Sequence, residues 1–165
     1  MDGCAAGNHP LVNRLMRGIF NLRASTPRYN DTWDVKPVLD KLRTMEPLHN
    51  HLLKDLTLKL MILLVLTQAA RVQTLHLLVL RDISKGENYI SIWLEGNIKQ
   101  CWPGCNVQFI KFHAYMKDLS LCVHRALSTY LDKTNHLREM AGGMNGRLLI
   151  SFVKPHCSVS RDTIA

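Results

Sequence analysis

Leu52-Leu53-Lys54-Asp55-Leu56-Thr57-Leu58-Lys59-Leu60-Met61-Ile62-Leu63-Leu64-Val65-Leu66-Thr67-Gln68-Ala69 is the stretch whose reading decides the fold. The residues Leu56, Leu60, Met61, Leu63, Leu64 and Leu66 make a helix apolar on most sides, and such a helix belongs in the middle of a core. Its longest apolar run, Leu60 to Leu66, is far too short to span a bilayer.

Working outward, Val72 to Leu80 carries Leu75, Leu78 and Val79 on one side, which predicts a further helix. Asn88 to Leu94 alternates with period two and Val107 to Phe112 follows, so two strands are expected to flank Pro103-Gly104. Leu121 to Leu131 returns to helical spacing, and Leu148 to Phe152 reads as one more short strand. On the other side, Leu11, Leu15, Ile19 and Leu22 form a helical stripe that Ala24-Ser25-Thr26-Pro27 ends. A second helix is expected from Asp34 as N-cap, with Pro37 in its first turn, through Val38, Leu39, Leu42 and Met45 to a stop at Pro47. The sum is an α+β chain, mostly α, with a small antiparallel sheet. Residues 1–30 read as the tail of an upstream helical region with its linker, and residues 31–165 as the main domain.

Composition agrees with a folded chain: 165 residues, 47% hydrophobic and 21% charged, are enough for one domain with a core. A formal net charge of +8 favours a polyanionic partner. Nucleic acid fits better than a membrane surface, because the basic residues are spread along the chain and not gathered on one amphipathic helix. Asp2 stands where a secretory signal carries positive charge, and no apolar segment follows it. Five cysteines without a repeated framework suit a reducing compartment, so an intracellular, nuclear location is expected. Ser160 followed by Arg161-Asp162-Thr163-Ile164-Ala165 looks like the start of a helix, and the expectation is a domain truncated at its C-terminus.

Three segments carry a resemblance. Leu66-Thr67-Gln68-Ala69-Ala70-Arg71-Val72-Gln73-Thr74-Leu75-His76, Ile98-Lys99-Gln100-Cys101-Trp102-Pro103-Gly104 and Leu148-Leu149-Ile150-Ser151-Phe152-Val153-Lys154-Pro155-His156 together resemble the catalytic domain of tyrosine recombinases, with most similarity to the integrase-like enzymes of DIRS-type and Crypton-type mobile elements. The resemblance runs from about His9 to Ala165. It implies the DNA breaking-rejoining fold, incomplete at the C-terminus, with an upstream core-binding region before it. It also implies double-stranded DNA as partner, self-association on DNA in the full-length family member, and no cofactor.

On that resemblance Arg71 binds the scissile phosphate, since a guanidinium offers bidentate donors to two phosphate oxygens. The residues alone favour a plainer role, in which Arg71 caps the leucine-rich helix. Lys99 takes the place of the family's hairpin lysine, the general acid for the leaving 5′ oxygen; otherwise it is an ordinary exposed lysine. The related elements read Lys-Gln-Ser-Arg-Pro-Gly here, and Cys101 and Trp102 replace the hydroxyl residue and the arginine. Lys154, His156 and Arg161 become candidate phosphate contacts. Read without the family, each is a solvated polar residue.

Other groupings are weaker. Cys101 and Cys105 with His113 make a poor zinc site, lacking a second paired knuckle. Cys122 and His124 read as core and surface residues, and Tyr130 as structural. On the resemblance, the family's tyrosine nucleophile, its His-x-x-Arg and a second His or Trp are all expected C-terminal to the segment where this sequence ends, and no His-x-x-Arg follows Ser160 in it. Two functions therefore stand side by side: a recombinase catalytic domain inactive on its own, or a non-catalytic DNA- or protein-interaction module derived from one.

Overall fold

The computed structural model describes residues 6–22, 33–68, 72–96, 109–140 and 146–164. It divides into Met1–Val35 and Lys36–Ala165. In the first part a 3-10 turn, Ala6–Asn8, precedes α1, Pro10–Leu22. The His9 ring accepts the Leu11 N–H at 3.3 Å, which satisfies one of the free donors of the first turn. The predicted stripe is there, and Leu11, Leu15 and Ile19 along it are exposed.

The second part is built around α3, Leu53–Gln68, where the leucine-rich stretch predicted it. Leu56, Leu60, Leu63 and Leu64 are buried in the core. Before it, α2 spans Lys36–Thr44, beginning two residues after Asp34, with Pro37 in the first turn as expected. A buried cation joins the two helices. Lys59 is 1% exposed, and its ammonium donates to the carbonyls of Leu42 at 2.9 Å and Met45 at 2.8 Å and to Glu46 Oε1 at 3.1 Å. It thereby adds a second donor to the Leu42 carbonyl, which already accepts the Met45 N–H at 3.2 Å, and supplies one to the Met45 carbonyl just beyond α2. Glu46 Oε2 also pairs with Arg125 at 3.0 Å.

The expected helix from Val72 to Leu80 needs correction. α4 is only Val72–His76, and Leu78 begins a strand, β1, Leu78–Lys85. Leu77-Leu78-Val79-Leu80 is a continuous apolar run, which periodicity alone cannot divide between helix and strand. Pairing decides it. β1 bonds β2, Tyr89–Leu94, on one side, with Leu78 opposite Leu94 and Val79 opposite Trp93. On its other edge Leu80 N–H donates to Gly146 O at 3.0 Å and Leu148 N–H to Leu78 O at 2.8 Å. Both backbone edges at Leu78–Leu80 are thus occupied and all three side chains are buried.

β2 pairs antiparallel with β3, Phe109–His113, giving a three-stranded sheet of order β1-β2-β3. Ile90, Ile92, Leu94 and Phe112 turn to the core. Then α5, Val123–Met140, extends well beyond the predicted Leu131 and packs against α3 and β3. Its Tyr130 and Leu127 are wholly buried. The mostly helical α+β class with a small antiparallel sheet is what the sequence led one to expect.

The predicted strand Leu148–Phe152 is not continuous, because the chain there changes partners. Arg147 bridges Val79 of β1, whereas Ile150 bridges Ser158 on the chain's own return. Phe152 stands in the turn, exposed. Arg138 holds this segment to α5: it donates to Arg147 O at 2.9 Å, Leu148 O at 2.5 Å and Thr134 Oγ1 at 3.1 Å. Its guanidinium carbon lies 5.8 Å from the Tyr130 ring centroid. Burial pulls the Arg138 pKa below its ordinary value. No described helix is long and apolar enough to cross a membrane.

Candidate nucleic-acid interface

Ile150 to Ser158 is a short hairpin that carries two of the sequence-predicted contacts. Ser151 N–H donates to Cys157 O at 2.8 Å, and Val159 N–H donates to Leu149 O at 3.2 Å. At its tip His156 N–H donates to Val153 O at 3.0 Å, closing a four-residue turn whose central residues are Lys154 and Pro155, joined by a cis peptide. The Ser151 hydroxyl braces the turn, donating to Val153 O at 2.9 Å and accepting Val153 N–H at 3.1 Å. Lys154 is exposed at the tip.

His156 has a left-handed backbone, φ 58°, uncommon for a residue with a side chain. Its ring is half-buried, with Nδ1 2.9 Å from Ser151 O. A carbonyl only accepts, so Nδ1 carries the proton and Nε2 remains for a ligand. Donation from Nε2 to a phosphate then requires the doubly protonated ring.

Arg161 opens α6, Arg161–Ile164, and is exposed. Ser160 caps this turn as predicted, its Oγ accepting Thr163 N–H at 3.2 Å. Val159 and Ile164 pack on the core, and α6 packs on α4. The segment bearing Arg161 therefore lies beside the helix that directly follows Arg71 in the chain. Arg71 itself and Lys99 lie outside the described residues, as do Cys101, Trp102 and Cys105.

A cation that the sequence reading did not single out stands beside the hairpin. Lys54, in the first turn of α3, has its ammonium 5.9 Å from the Phe152 ring centroid. It adds an exposed positive charge beside the Lys154 turn, and nothing in the spacing of two such distant residues announces the contact. Acidic residues are not absent, since Asp162 follows Arg161.

Tyr130 is excluded as a nucleophile. It is 0% exposed, its hydroxyl oxygen accepts Ile150 N–H at 3.1 Å, and burial pushes its pKa above the ordinary value. Cys122 is buried, its sulfur accepting Tyr115 N–H at 3.2 Å, and His124 is half-buried. Among the described residues no cluster of His, Cys, Asp and Glu could hold a metal ion. Among the described residues that line a cleft of about 770 Å³ beside Leu80, Ile83 and Leu131, none is a sequence-predicted contact. Of the known proteins compared, no family model and no curated sequence matches the chain.

Proposed function

We propose that this chain is a DNA-binding domain of the tyrosine-recombinase, integrase-like kind, derived from a mobile element and working on duplex DNA in the nucleus. Its family role is integration and recombination through a 3′-phosphotyrosyl intermediate. Within that role Arg71 grips the scissile phosphate, Lys99 protonates the leaving oxygen, and Lys154, His156 and Arg161 hold the flanking backbone. What supports the reading most is the order of parts. A buried helix leads into the Arg71 segment, Lys99 falls in the connection between β2 and β3, and the basic Lys154 turn leads into the helix that packs on α4.

With neither a His-x-x-Arg nor an accessible tyrosine in the family's place, the 165-residue chain binds and orients phosphate but does not cut it. Anisotropy titrations with unrelated duplexes should give dissociation constants of roughly 10⁻⁴ to 10⁻⁶ M that weaken steeply with salt. Lys154→Ala with Arg161→Ala should flatten that salt dependence. A nicked suicide duplex should yield no covalent adduct. Salt-independent binding, no binding at low salt, or an adduct formed by this chain would each overturn the reading.

A further inference from the structure

The sheet face that carries Phe109 and Lys111, exposed along β3 but buried at Ser91 and Val79, has a chemistry that the duplex reading leaves unused. The β2–β3 register sets Tyr89 opposite His113, Ser91 opposite Lys111 and Trp93 opposite Phe109. These six side chains share one face, because their neighbours Ile90, Ile92 and Phe112 turn into the core. β1 adds Arg81, whose guanidinium carbon is 6.0 Å from the Trp93 ring centroid. Lys111 lies between rings, its ammonium 5.2 Å from the Tyr89 centroid and 5.7 Å from that of Phe109. The Tyr89 and His113 rings are 6.2 Å apart. Neither β2 nor β3 contains an acid.

The exposed face of a small antiparallel sheet is ordinarily polar. Cross-strand packing accounts for some aromatic content, but Phe109, at 49% exposure, gains little burial by standing here. Phe109 is a ring on this face exposed enough to accept a stacked base, and Lys111 beside it can accept a phosphate next to that base. On each strand the two rings stand four residues apart, Tyr89 and Trp93 on β2 and Phe109 and His113 on β3, so about 13 Å separates one stacking position from the next, with Ser91 and Lys111 between them. Duplex DNA cannot use them, since its bases are already stacked and paired. Lys111 is held over two rings beforehand, which lowers the entropy lost when it meets a phosphate.

We propose that this face, centred on Tyr89, Phe109 and Lys111, is a platform for single-stranded nucleic acid. Bases stack on the rings, and Lys111 and Arg81 meet the backbone. The proposal does not depend on the duplex reading, whose contacts lie on the Lys154 hairpin and α6.

The test is anisotropy with labelled oligothymidine of about 12 nucleotides and with a duplex of equal length, using the full chain. The single strand should bind more tightly than the duplex at moderate salt. Phe109→Ala and Lys111→Ala should each weaken it about tenfold, with duplex binding changed less than twofold by Phe109→Ala. Phe109→Tyr should retain affinity. Phe109→Leu keeps apolar bulk without a ring and should lose it, which separates stacking from folding. Lys154→Ala with Arg161→Ala should spare single-strand binding. No binding of the oligomer by the parent chain, equal affinity for duplex, full affinity in Phe109→Leu, or equal competition by polyglutamate would overturn the platform.

Discussion

Lys59 and Arg138 are both buried cations that spend their donors on backbone carbonyls, yet their surroundings differ. Lys59 has a carboxylate partner in Glu46, itself linked to Arg125 and open to solvent on one side. Arg138 has Thr134, two carbonyls and the face of Tyr130, and burial lowers its pKa. A paired cation recovers its desolvation cost through the counter-charge, whereas a cation held by dipoles alone recovers less. The lesson is that one kind of residue secures two irregular segments, after α2 and after α5, with different net contributions to stability.

Substitution tests this difference directly. Lys59→Met should cost about 3 kcal/mol, because it takes the ammonium from the Met45 and Leu42 carbonyls, leaving only the latter with another donor, and dismantles the pair with Glu46. Arg138→Met should cost less, roughly 1–2 kcal/mol, since the burial penalty disappears with the charge. Urea denaturation at neutral pH ranks the two, and an Arg138 variant as unstable as the Lys59 variant would break the comparison.

Tyr130 sharpens it from the Arg138 side. Tyr130→Phe leaves the buried Ile150 N–H without its acceptor, a loss of about 1 kcal/mol at neutral pH. The folded-state pKa of this tyrosine is raised above 10.0, mainly by burial. Its contribution is therefore complete below that value and is lost as pH rises through the folded-state pKa. Alkaline denaturation should come at higher pH in the phenylalanine variant.

The smallest effect belongs to an exposed cation, Arg43 on α2, and its partner Asp118 just before the 3-10 turn Leu119–Leu121. Asp118 accepts from Ser120 and pairs with Arg43 at 2.9 Å, and these bonds hold its carboxyl below the ordinary 3.8. Its contribution is present above 3.8 and fades as pH falls through the lowered value. Asp118→Asn should lower the melting temperature slightly at neutral pH and not at all in strong acid.

Local pattern carried much of this architecture. α1 and β2 were legible because each keeps one period over its length, α3 because its apolar run is long and all-round, and the Ser160 cap because hydroxyl capping is a local event. β1 was not, since its state rests on pairing with β2 and with Gly146–Leu148, residues far away in sequence. The buried cations were invisible for a related reason: a lysine among leucines reads as a surface residue until the end of α2 is brought against it. Lys154, His156 and Arg161 were singled out by resemblance and not by their own spacing. Lys54 and the aromatic face of the sheet emerged only when strands and helices were assembled.

The segment that covers the outer edge of β1 has a kinetic consequence. The Arg147 guanidinium reaches the carbonyl of His76 across 71 residues of chain, while β1 and β2 are joined by a tight turn in which Gly86 N–H donates to Tyr89 O at 2.9 Å. Closing the short turn costs far less loop entropy than closing the long one. A refolding molecule thus forms the hairpin early and seals its flank late. During that interval Leu78 to Leu80 present unpaired backbone to any other chain nearby, so the hazard of intermolecular strand addition is a matter of how quickly residues 146–150 return.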